Sequence, residues 1–591
     1  MNPEPVRFIR SIEAEQMERG SESTHNIRLM TVLTVILAAG LRLIGLGSAS
    51  LTMNEAENAM TALHLFENGS SGQLLYELPT AILFKFFGSS EFAARLFPAL
   101  AGILVVLIPL FFYKNTGSRK AFVLSFLLSV DPVLLFWSKR ADAVIPAAVL
   151  LAAAIVFLLK QKKTSALTCF LIALSGGNRI WPVVLVCAVC LVLSTFLLKK
   201  DPYYLWFLRF SKRNVILAAA FFVLYCTAFG MFPGGIGAFG TGIINSFKKG
   251  PAWVYPGLAA ELIAVVLYCG LPLILSCVLA FRHHKLTALL LSVFAAAGLI
   301  LWHGVIMLPW ISILLWIHAS GMVLKILDRI KGPFDFPFTM TCFAVTGAWS
   351  FFYFRLVELF KQTIGSELIQ FNWNNVTQTL PLTRYTGAVL LTVISIVIIV
   401  LIVKILLGFV ESSSIRRGLF AGAAVILSWS LMTGIWNAGG FDREGDHPLM
   451  DHSKNTADIL NGAYTSFTNT AFFELFDETI AKHGDASNTN YGLNFIVNDP
   501  MAAWLVRNYP GIHTTANKNA DLTGVDLILD QAGESYENYG FVSSSQNWRG
   551  TMDWQAFSFQ DWGKWLIFGD AQLSVDVPVT LWARAERLFM N

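Results

Sequence analysis

A series of long apolar runs constrains the fold of this chain more than any other feature. About 13 runs that are long enough to cross a bilayer as helices follow one another, from Ile27–Gly47 to Leu419–Ile435. The chain is 55% hydrophobic and only 14% charged, whereas about one quarter of the residues of a soluble domain are charged. We therefore predict a polytopic α-helical membrane protein with about 13 spans.

The distribution of charge predicts the side of the membrane on which each loop lies. Clusters of Lys and Arg recur in alternate loops, for example Lys160–Lys163, Lys199–Lys200 and Arg416–Arg417, and such loops face the cytoplasm. This rule places residues 1–26 in the cytoplasm as an N-terminal lead. An odd number of spans then places residues 437–591 on the extracytoplasmic side of the plasma membrane. Because the basic residues form only short clusters between apolar runs, nucleic-acid binding is not expected.

The segment 437–591 differs from the rest of the chain, because it holds 9 Lys and Arg against 20 Asp and Glu and lacks long apolar runs. Strands are predicted at Leu493–Val497, Val525–Asp530 and Val577–Ala583, and helices at Ala471–His483 and Met501–Tyr509. This alternation indicates a small α/β domain with a partly parallel sheet. The chain is thus divided into the lead, a transmembrane domain (27–436) and this extracytoplasmic domain.

Loop 48–91, between the first two spans, carries carboxylates that are candidates for a functional site. Glu55 begins a helix-like run directly after the first span, and Glu77 lies in the apolar sequence LLYELPTAILF. A carboxylate among apolar neighbours is unfavourable unless it has a partner, and a metal ion or an Arg would serve. The alternative, which is the ordinary explanation of such carboxylates, is that they lie on a solvent-exposed surface of the loop.

A second cluster, Trp137–Asp142 (WSKRAD), forms a short turn after the third span. Its Lys139, Arg140 and Asp142 can be brought near loop 48–91 by helix packing. Basic side chains beside carboxylates can bind a phosphate, either directly or through a metal held by the acids. The alternative is a turn whose Lys and Arg extend toward water and form a local salt bridge.

The order of these motifs resembles the GT-C family of polytopic glycosyltransferases, which includes protein O-mannosyltransferases and lipid A aminoarabinose transferases. Family members have an Asp-Glu-Ala motif after the first span, a Tyr/Phe-Glu-Lys-Pro-Pro motif, a phrase similar to SEFAARLPSAL and an Arg-x-Asp turn. The counterparts here are Asn54-Glu55-Ala56, Tyr76-Glu77-Leu78-Pro79, Ser90–Leu100 (SEFAARLFPAL) and Arg140-Ala141-Asp142. In the early part of the chain the resemblance rests on these motifs. In the later part it rests only on the arrangement of the spans. The acidic C-terminal segment resembles the outer domains of membrane proteins described as glycosyltransferases or as flippase-associated.

The resemblance implies the GT-C fold and the transfer of a sugar from a polyprenyl-phosphate donor to a lipid, protein or glycan acceptor at the outer face. In the family, the Asp of Asp-Glu-Ala is the base, and the Glu of the second motif helps to hold a metal or the phosphate region. Here Asn54 occupies the base position, and an amide cannot accept a proton near neutral pH. Leu78 replaces the Lys of the second motif, and Arg140, Lys139 or Arg179 would have to supply the missing positive charge.

Three groups of site residues are therefore predicted. The catalytic residues are Glu55 (as base or acceptor-orienting acid), Asn54 and Glu57; the ligands of the donor phosphate are Arg140, Lys139 and Asp142; and the ligands of a divalent metal ion are Glu77, Asp142 and His303. The alternative, motivated by Asn54 and Leu78, is a non-catalytic protein that binds or helps to translocate lipid-linked glycans. A transporter ranks third, since the sequence shows no internal repeat.

Overall fold

The structure of the chain is a computed structural model, and the part that it describes is mostly helical. The described residues are 29–47, 51–111, 118–198, 210–248, 304–330, 335–361, 370–373, 376–379, 412–439, 464–465, 495–497, 527–531, 536–551 and 575–584, with short pieces between 265 and 277 and the single positions 394, 397, 500, 503, 504 and 507.

The helices of these segments are numbered in chain order. They are α1 (Leu29–Leu43), α2 (Met53–Leu63), α3 (Leu65–Asn68), α4 (Leu74–Phe87), α5 (Glu91–Phe111), α6 (Ser118–Ser129), α7 (Pro132–Ser138), α8 (Val144–Leu159), α9 (Lys163–Leu174), α10 (Trp181–Leu198), α11 (Lys212–Cys226), α12 (Gly235–Lys248), α13 (Leu308–Ile330), α14 (Phe336–Lys361) and α15 (Ser412–Gly439). Short 3₁₀ helices lie at Gly177–Arg179, Ala228–Gly230, Gly304–Met307 and Glu537–Tyr539.

Within the described residues, α5 and α13 are long and apolar enough to cross a membrane. Two bent pairs, α6 with α7 and α9 with Gly177–Cys190, raise this number to four if each pair forms one span. These helices are those of a membrane protein. The prediction of about 13 spans also depends on apolar runs outside the described residues, and it stays a prediction.

The break between α6 and α7 follows from the local sequence. The helix axis bends by 59° there. Pro132 is the first residue of α7, where its missing N–H and fixed φ are compatible with a helix start. The preceding residue, Asp131, accepts a hydrogen bond on Oδ1 from the N–H of Leu134 at 2.7 Å, which caps the new helix. As a result α7 is a separate helix of seven residues that ends directly before Lys139.

The chain divides into two units, residues 1–252 with 265–324 and residues 253–264 with 325–591. In the first unit α2 packs on α4, α4 packs on α5, and α5 packs on α8. A buried apolar cluster lies where α3 and α4 meet α11, α12 and the 3₁₀ helix between them. Its members are Leu65, Leu74, Leu78, Ala81, Cys226, Ala228, Phe232 and Ala238. This packing holds loop 48–91 as helices rather than as an irregular segment.

Three glycines bring separate backbone segments of the first unit into direct contact. Gly72 precedes α4 and has φ of +103°, a conformation that L side chains rarely adopt. A Cβ on Gly72 would lie 2.6 Å from the Cα of Gly242 in α12, and a Cβ on Gly177 would collide with the carbonyl oxygen of Gly72. The loop before α4 therefore rests on α12 and on the 3₁₀ helix Gly177–Arg179, with no room for side chains between them.

In the second unit, α14 packs along α15, and five strands form a sheet in the order β3-β6-β7-β5-β4. These strands are β3 (Tyr464–Thr465), β4 (Phe495–Val497), β5 (Leu527–Gln531), β6 (Phe541–Thr551) and β7 (Val575–Arg584), and a separate hairpin joins β1 (Gln370–Trp373) to β2 (Val376–Thr379). The pair β4–β5 is parallel and the other pairs of the sheet are antiparallel.

Three strands of this sheet lie where the sequence predicted them, since β4, β5 and β7 overlap the predicted segments. The long strand β6 was missed, because SSSQNWRG is polar and carries no clear alternation of apolar residues. The predicted helices Ala471–His483 and Met501–Tyr509 lie wholly or largely outside the described residues. The predicted domain boundaries at 26 and 436 stay predictions.

Candidate functional site

Helix α2 presents two polar side chains to the protein interior. Glu55 is 3% exposed, and Asn58 is 5% exposed. Residues three positions apart share a face of a helix, so both side chains meet the same neighbours. The Glu55 carboxylate also accepts a hydrogen bond from the backbone N–H of Thr52 at 3.0 Å, which satisfies one of the donors that the start of a helix leaves open.

Two arginines pair with Glu55. Arg95, in the first turns of α5, donates from Nε to Oε1 at 2.8 Å and from Nη2 to Oε2 at 3.0 Å, which is the bidentate geometry of a strong ion pair. Arg140 donates from Nη1 to Oε2 at 2.8 Å. These three residues form what we name the Glu55 cluster. Because one carboxylate is shared by two guanidinium groups, the cluster carries a net positive charge.

The pKa of Glu55 follows from these contacts. Burial raises the pKa of a carboxyl group, but the charges of Arg95 and Arg140 outweigh burial here and hold the pKa of Glu55 well below its usual range. Both oxygens are further occupied, since Oε1 accepts from the N–H of Ala141 at 3.0 Å and Oε2 from the Thr52 hydroxyl at 2.9 Å. Such a carboxylate is poorly suited to take a proton from a hydroxyl. The geometry therefore argues against Glu55 as the base and favours a role in holding the two arginines.

The turn that contains Arg140 is fixed by the buried face of α2. Ala141, the next residue, is bound at both of its backbone polar groups. Its N–H donates to Glu55, and its carbonyl accepts from Nδ2 of Asn58 at 2.9 Å. Because both buried backbone groups are paired, the turn is held in one conformation. The backbone position of Arg140 is therefore fixed.

Arg140 and Lys139 are the more accessible cations of this region. The Arg140 side chain is 17% exposed, whereas that of Arg95 is 4% exposed. Lys139 is half-buried, and its Nζ donates to the carbonyl of Ile44 at 2.8 Å. Of the two predicted phosphate ligands, Arg140 contacts Glu55, whereas Lys139 precedes it in the same turn and contacts Ile44.

Asp142, the third predicted phosphate ligand, pairs with a cation. Arg179 reaches Oδ2 from Nη2 at 2.7 Å and donates from Nε to Oδ1 at 3.1 Å. The N–H of Val144 also donates to Oδ1 at 3.0 Å. Asp142 is 5% exposed, so it anchors the start of α8 to the 3₁₀ helix that carries Arg179. This geometry argues against direct contact of Asp142 with a phosphate.

Glu77 is the second buried carboxylate of loop 48–91, and it is 0% exposed in the first turn of α4. Its donors in the described part of the chain are all neutral. They are the hydroxyls of Ser70 and Ser71 and the N–H groups of Ser71 and Gln73, the latter two at 3.1 and 3.3 Å. Burial raises the pKa of Glu77, and the hydrogen bonds from Ser70 and Ser71 offset only part of that effect.

A side-chain contact joins the surroundings of the two carboxylates. Gln73, which donates to Glu77 through its backbone, also donates from Nε2 to Oδ1 of Asn58 at 3.4 Å. Asn58 in turn holds the carbonyl of Ala141. Glu77 and the Arg140 turn are therefore connected through Gln73 and Asn58 within one buried polar network.

Sequence reasoning missed three members of this network: Arg95, Asn58 and Gln73. Arg95 lies inside the quoted phrase SEFAARLFPAL, and a single Arg among small apolar residues was the signal that could have identified it. Asn58 lies three residues after Glu55, which is the spacing of a shared helix face. Gln73 has no comparable signal, because its partner depends on the packing of α2 against α4.

The other predicted catalytic residues, Asn54 and Glu57, lie on the exposed face of α2. They are three positions apart, so they are neighbours on the helix surface. The face that carries them borders the buried face that holds Glu55 and Asn58, about 100° around the helix. Asn54 and Glu57 are therefore accessible to a ligand, whereas Glu55 is enclosed.

The predicted metal ligands do not form a metal site within the described residues. No group of three or more His, Cys, Asp or Glu side chains in that part of the chain is arranged to hold a metal ion. Both oxygens of Glu77 accept hydrogen bonds from its own loop, and Asp142 is paired with Arg179. A hard divalent cation needs open carboxylate oxygens, so these donor sets do not fit one. His303 lies outside the described residues.

No protein-family model and no curated protein matches the chain. The structure is similar to the crystal structure of ArnT from Cupriavidus metallidurans in the apo state, with a TM-score of 0.50 and 12% sequence identity. That match covers 96% of this chain and 100% of the other. It is also similar to ArnT from Cupriavidus metallidurans bound to undecaprenyl phosphate, with a TM-score of 0.48, 14% identity and coverage of 95% and 99%.

At this level of identity the similarity concerns the fold. The match in the apo state extends over nearly the whole length of both chains. The fold expected from the order of the motifs is thereby confirmed: the chain shares the GT-C fold of the aminoarabinose transferase ArnT.

Proposed function

We propose that this chain is a membrane glycosyltransferase that transfers a sugar from a polyprenyl-phosphate donor to an acceptor at the extracytoplasmic face. The observation that carries the proposal is the Glu55 cluster, in which one buried carboxylate holds two arginines, one of them directly after Lys139 in the chain. The GT-C fold shared with ArnT and the order of the motifs support the same function.

The cluster has the charge that a phosphate leaving group requires. In glycosyl transfer from a polyprenyl phosphate, the phosphate departs with a negative charge that the protein must stabilise. The second guanidinium on Glu55 leaves one positive charge that this carboxylate does not balance, and Lys139 adds to it. Arg140 is the phosphate contact in this proposal, because it is the more exposed partner of Glu55 and its planar donors suit phosphate oxygens.

Activation of the acceptor is assigned to the exposed face of α2. Glu57 is the proposed base, since it is exposed to solvent and to ligands and a carboxylate can accept the proton of a hydroxyl. Asn54 lies three residues away on the same face and can orient that hydroxyl through its amide. Glu55, on the buried face of α2, keeps Arg95 and Arg140 in place.

Transfer assays with Glu57→Gln test this assignment. Purified protein in lipid nanodiscs is incubated with a radiolabelled polyprenyl-phosphate sugar and with total membrane lipid and envelope protein as acceptors. Loss of a general base lowers the rate by about 10²- to 10⁴-fold, and Glu57→Gln is expected to lower kcat by that amount while the Kd for polyprenyl phosphate stays unchanged. Arg140→Gln is expected to raise that Kd.

The matched control is Glu67→Gln, because Glu67 is an exposed carboxylate of the same loop that pairs only with His64 among the described contacts. This variant should retain full activity. Glu57→Gln with wild-type kcat would remove Glu57 from the mechanism. A wild-type protein that neither transfers the sugar nor binds polyprenyl phosphate would refute the proposed function.

A second candidate is a non-catalytic protein that binds or helps to translocate lipid-linked glycans. The observation that favours it is Asn54, which stands where the resembling family has its base, beside a Glu55 whose oxygens are already occupied. Under this candidate, the wild type binds polyprenyl-phosphate sugar without turnover, and Asn54→Asp gains activity. Turnover by the wild type would exclude it.

A further inference from the structure

Two fully buried ionisable residues, Arg42 and Asp131, lie at the break between α6 and α7 and take no part in the Glu55 cluster. Both are 0% exposed. Ionised groups within the apolar part of a membrane protein are costly and need partners. The partners of these two residues are spread over several helices, and this distribution indicates that the two side chains fix helices to one another.

Arg42, from α1, fixes the end of α6 and the end of α7. Nη1 donates to the carbonyl of Ser129 at 3.1 Å and Nη2 to that of Leu128 at 3.2 Å, which are open acceptors at the C-terminus of α6. A cation is favourable there because of the helix dipole. Nε also donates to the hydroxyl of Ser138, the last residue of α7, at 3.3 Å.

A glycine of α5 leaves room for this last contact. A Cβ on Gly102 would collide with the side chain of Ser138 and would lie 2.8 Å from Nε of Arg42. The absence of a side chain at this position therefore allows the Arg42–Ser138 hydrogen bond to form against α5.

Asp131 fixes the other end of α7 and links it to a distant helix. Oδ1 caps α7 by accepting from Leu134. Oδ2 accepts from the Ser312 hydroxyl and from Nε1 of Trp316, both in α13 and both at 2.7 Å. Ser312 and Trp316 are themselves 0% exposed, so the contact is closed to water and its geometry is well defined.

Helix α7 is short, and every one of its seven residues is buried. With Asp131 at its start and Arg42 at its end, it acts as a rigid connection. The residue that follows Ser138 is Lys139, and Arg140 comes next. A shift of α7 would therefore move both proposed phosphate contacts.

We infer that Asp131 is a positioning residue: through its contacts with Ser312 and Trp316 it fixes α7 against α13, and it thereby orients Arg140 and Lys139 toward the lipid phosphate. This inference rests on the proposed function for its ligand. Its structural part, the link from α13 to the Arg140 turn, is independent of that function and can be measured separately.

The test compares two Trp→Phe substitutions in α13. Trp316→Phe removes the indole donor to Asp131, whereas Trp310→Phe removes an indole N–H that is buried and has no hydrogen-bond partner among the described residues. Hydrogen exchange of the 139–142 backbone and the Kd for sugar-free polyprenyl phosphate are measured in nanodiscs. Trp316→Phe should speed exchange in the turn and raise the Kd by roughly tenfold, and Trp310→Phe should change neither.

A reciprocal variant separates positioning from a loss of folding. Asp131→Asn keeps an oxygen to accept from Leu134 but turns an amide N–H₂ toward the N–H of Trp316, so two donors face each other. Adding Trp316→Phe to Asp131→Asn removes that conflict and should recover part of the affinity. A general destabilisation would instead become worse in the double variant.

Equal exchange rates and equal Kd values for Trp316→Phe and Trp310→Phe would overturn the inference. If the wild type does not bind polyprenyl phosphate, the proposed function fails, and the exchange of the 139–142 backbone alone then decides whether α13 positions the Arg140 turn.

Discussion

The first turns of α2 and α4 each bury one glutamate of the same loop, and the two glutamates behave in opposite ways. Glu55 is 3% exposed and meets two arginines, whereas Glu77 is 0% exposed and, among the described residues, meets hydroxyl and N–H groups but no cation. The pKa of Glu55 is held below its usual range, and the pKa of Glu77 is raised above it.

The difference shows that burial alone does not decide the state of a carboxylate. Burial disfavours the charged form in both places. Hydrogen bonds from Ser70 and Ser71 reduce that penalty at Glu77, but two positive charges reverse it at Glu55. One carboxylate therefore holds two cations in place, and the other organises the loop that rests on α12 and on the 3₁₀ helix Gly177–Arg179.

The largest expected effect comes from removing the bidentate partner of Glu55. Arg95→Met leaves a buried carboxylate with only one guanidinium, and breaking a buried ion pair in this way costs about 3–5 kcal/mol. Thermal and denaturant unfolding in detergent would measure the loss. Combining Arg95→Met with Glu55→Gln should cost less than the sum of the single variants, because the unpaired charge is then gone.

Lys85→Met serves as the control for Arg95→Met. Lys85 is exposed on α4, and its Nζ lies 4.6 Å from the centre of the Phe66 ring. Loss of such a contact costs about 0.5–1 kcal/mol. Equal destabilisation by Arg95→Met and Lys85→Met would mean that the contrast between the two glutamates does not depend on the arginines.

An intermediate effect is expected at the glycine contact that supports the Glu77 loop. A Cβ on Gly242 would collide with the carbonyl of Gly72, and backbone on both sides leaves little room to adjust. Gly242→Ala should destabilise the protein by about 1–3 kcal/mol, the range for overpacking. The matched variant is Gly240→Ala in the same helix, where a Cβ meets no atom within 4 Å and where Ala should stabilise by about 0.5–1 kcal/mol.

Hydrogen exchange identifies the cause of a loss at Gly242. The backbone N–H groups of Ser71 and Gln73 donate to Glu77, so displacement of the loop should speed their exchange in Gly242→Ala and leave it unchanged in Gly240→Ala. The same destabilisation by both variants would point to α12 itself rather than to the loop.

The smallest effect is the dependence of stability on pH, and its sign differs between the two glutamates. Because the pKa of Glu77 is raised in the folded state, its carboxyl group stabilises the fold at a pH below the ordinary Glu pKa of about 4.3. This stabilisation is lost progressively as the pH rises through the raised pKa. Because the pKa of Glu55 is lowered in the folded state, its carboxylate stabilises the fold at a pH above about 4.3. This stabilisation is lost as the pH falls toward the lowered pKa.

Unfolding of Glu77→Gln and Glu55→Gln from pH 4 to 7 separates these signs. Relative to the wild type, Glu77→Gln should gain stability as the pH rises, by up to about 1 kcal/mol, the size of one hydrogen bond. As the pH falls below about 5, the wild type should lose stability that Glu55→Gln does not lose, so the difference in the free energy of unfolding between the two should become smaller. Parallel pH curves for the two variants would contradict the assignment of opposite pKa shifts.

Particular residues show how much of the site the sequence could predict. Glu55, Arg140 and Lys139 were identified from motif order, since ions beside apolar runs are conspicuous in a chain with few charges. The role of Glu55 could not be predicted, because Arg95 lies 40 residues away and Arg140 lies 85 residues away. Which cation reaches which carboxylate depends on the packing of α2 on α4 and of α4 on α5, and on the turn after α7.

By itself, the sequence determined that this chain forms apolar helices of membrane type, that it has the GT-C fold, and that ionisable residues concentrate in loop 48–91 and in WSKRAD. Apolar periodicity and motif order are local properties, so they can be read along the chain. Only the tertiary structure decided that Glu55 is shared by two arginines, that Glu77 has neutral donors, and that α13 contacts Asp131. The physical reason is that the charge state of a buried group depends on the partners that packing supplies, and those partners lie far away in sequence.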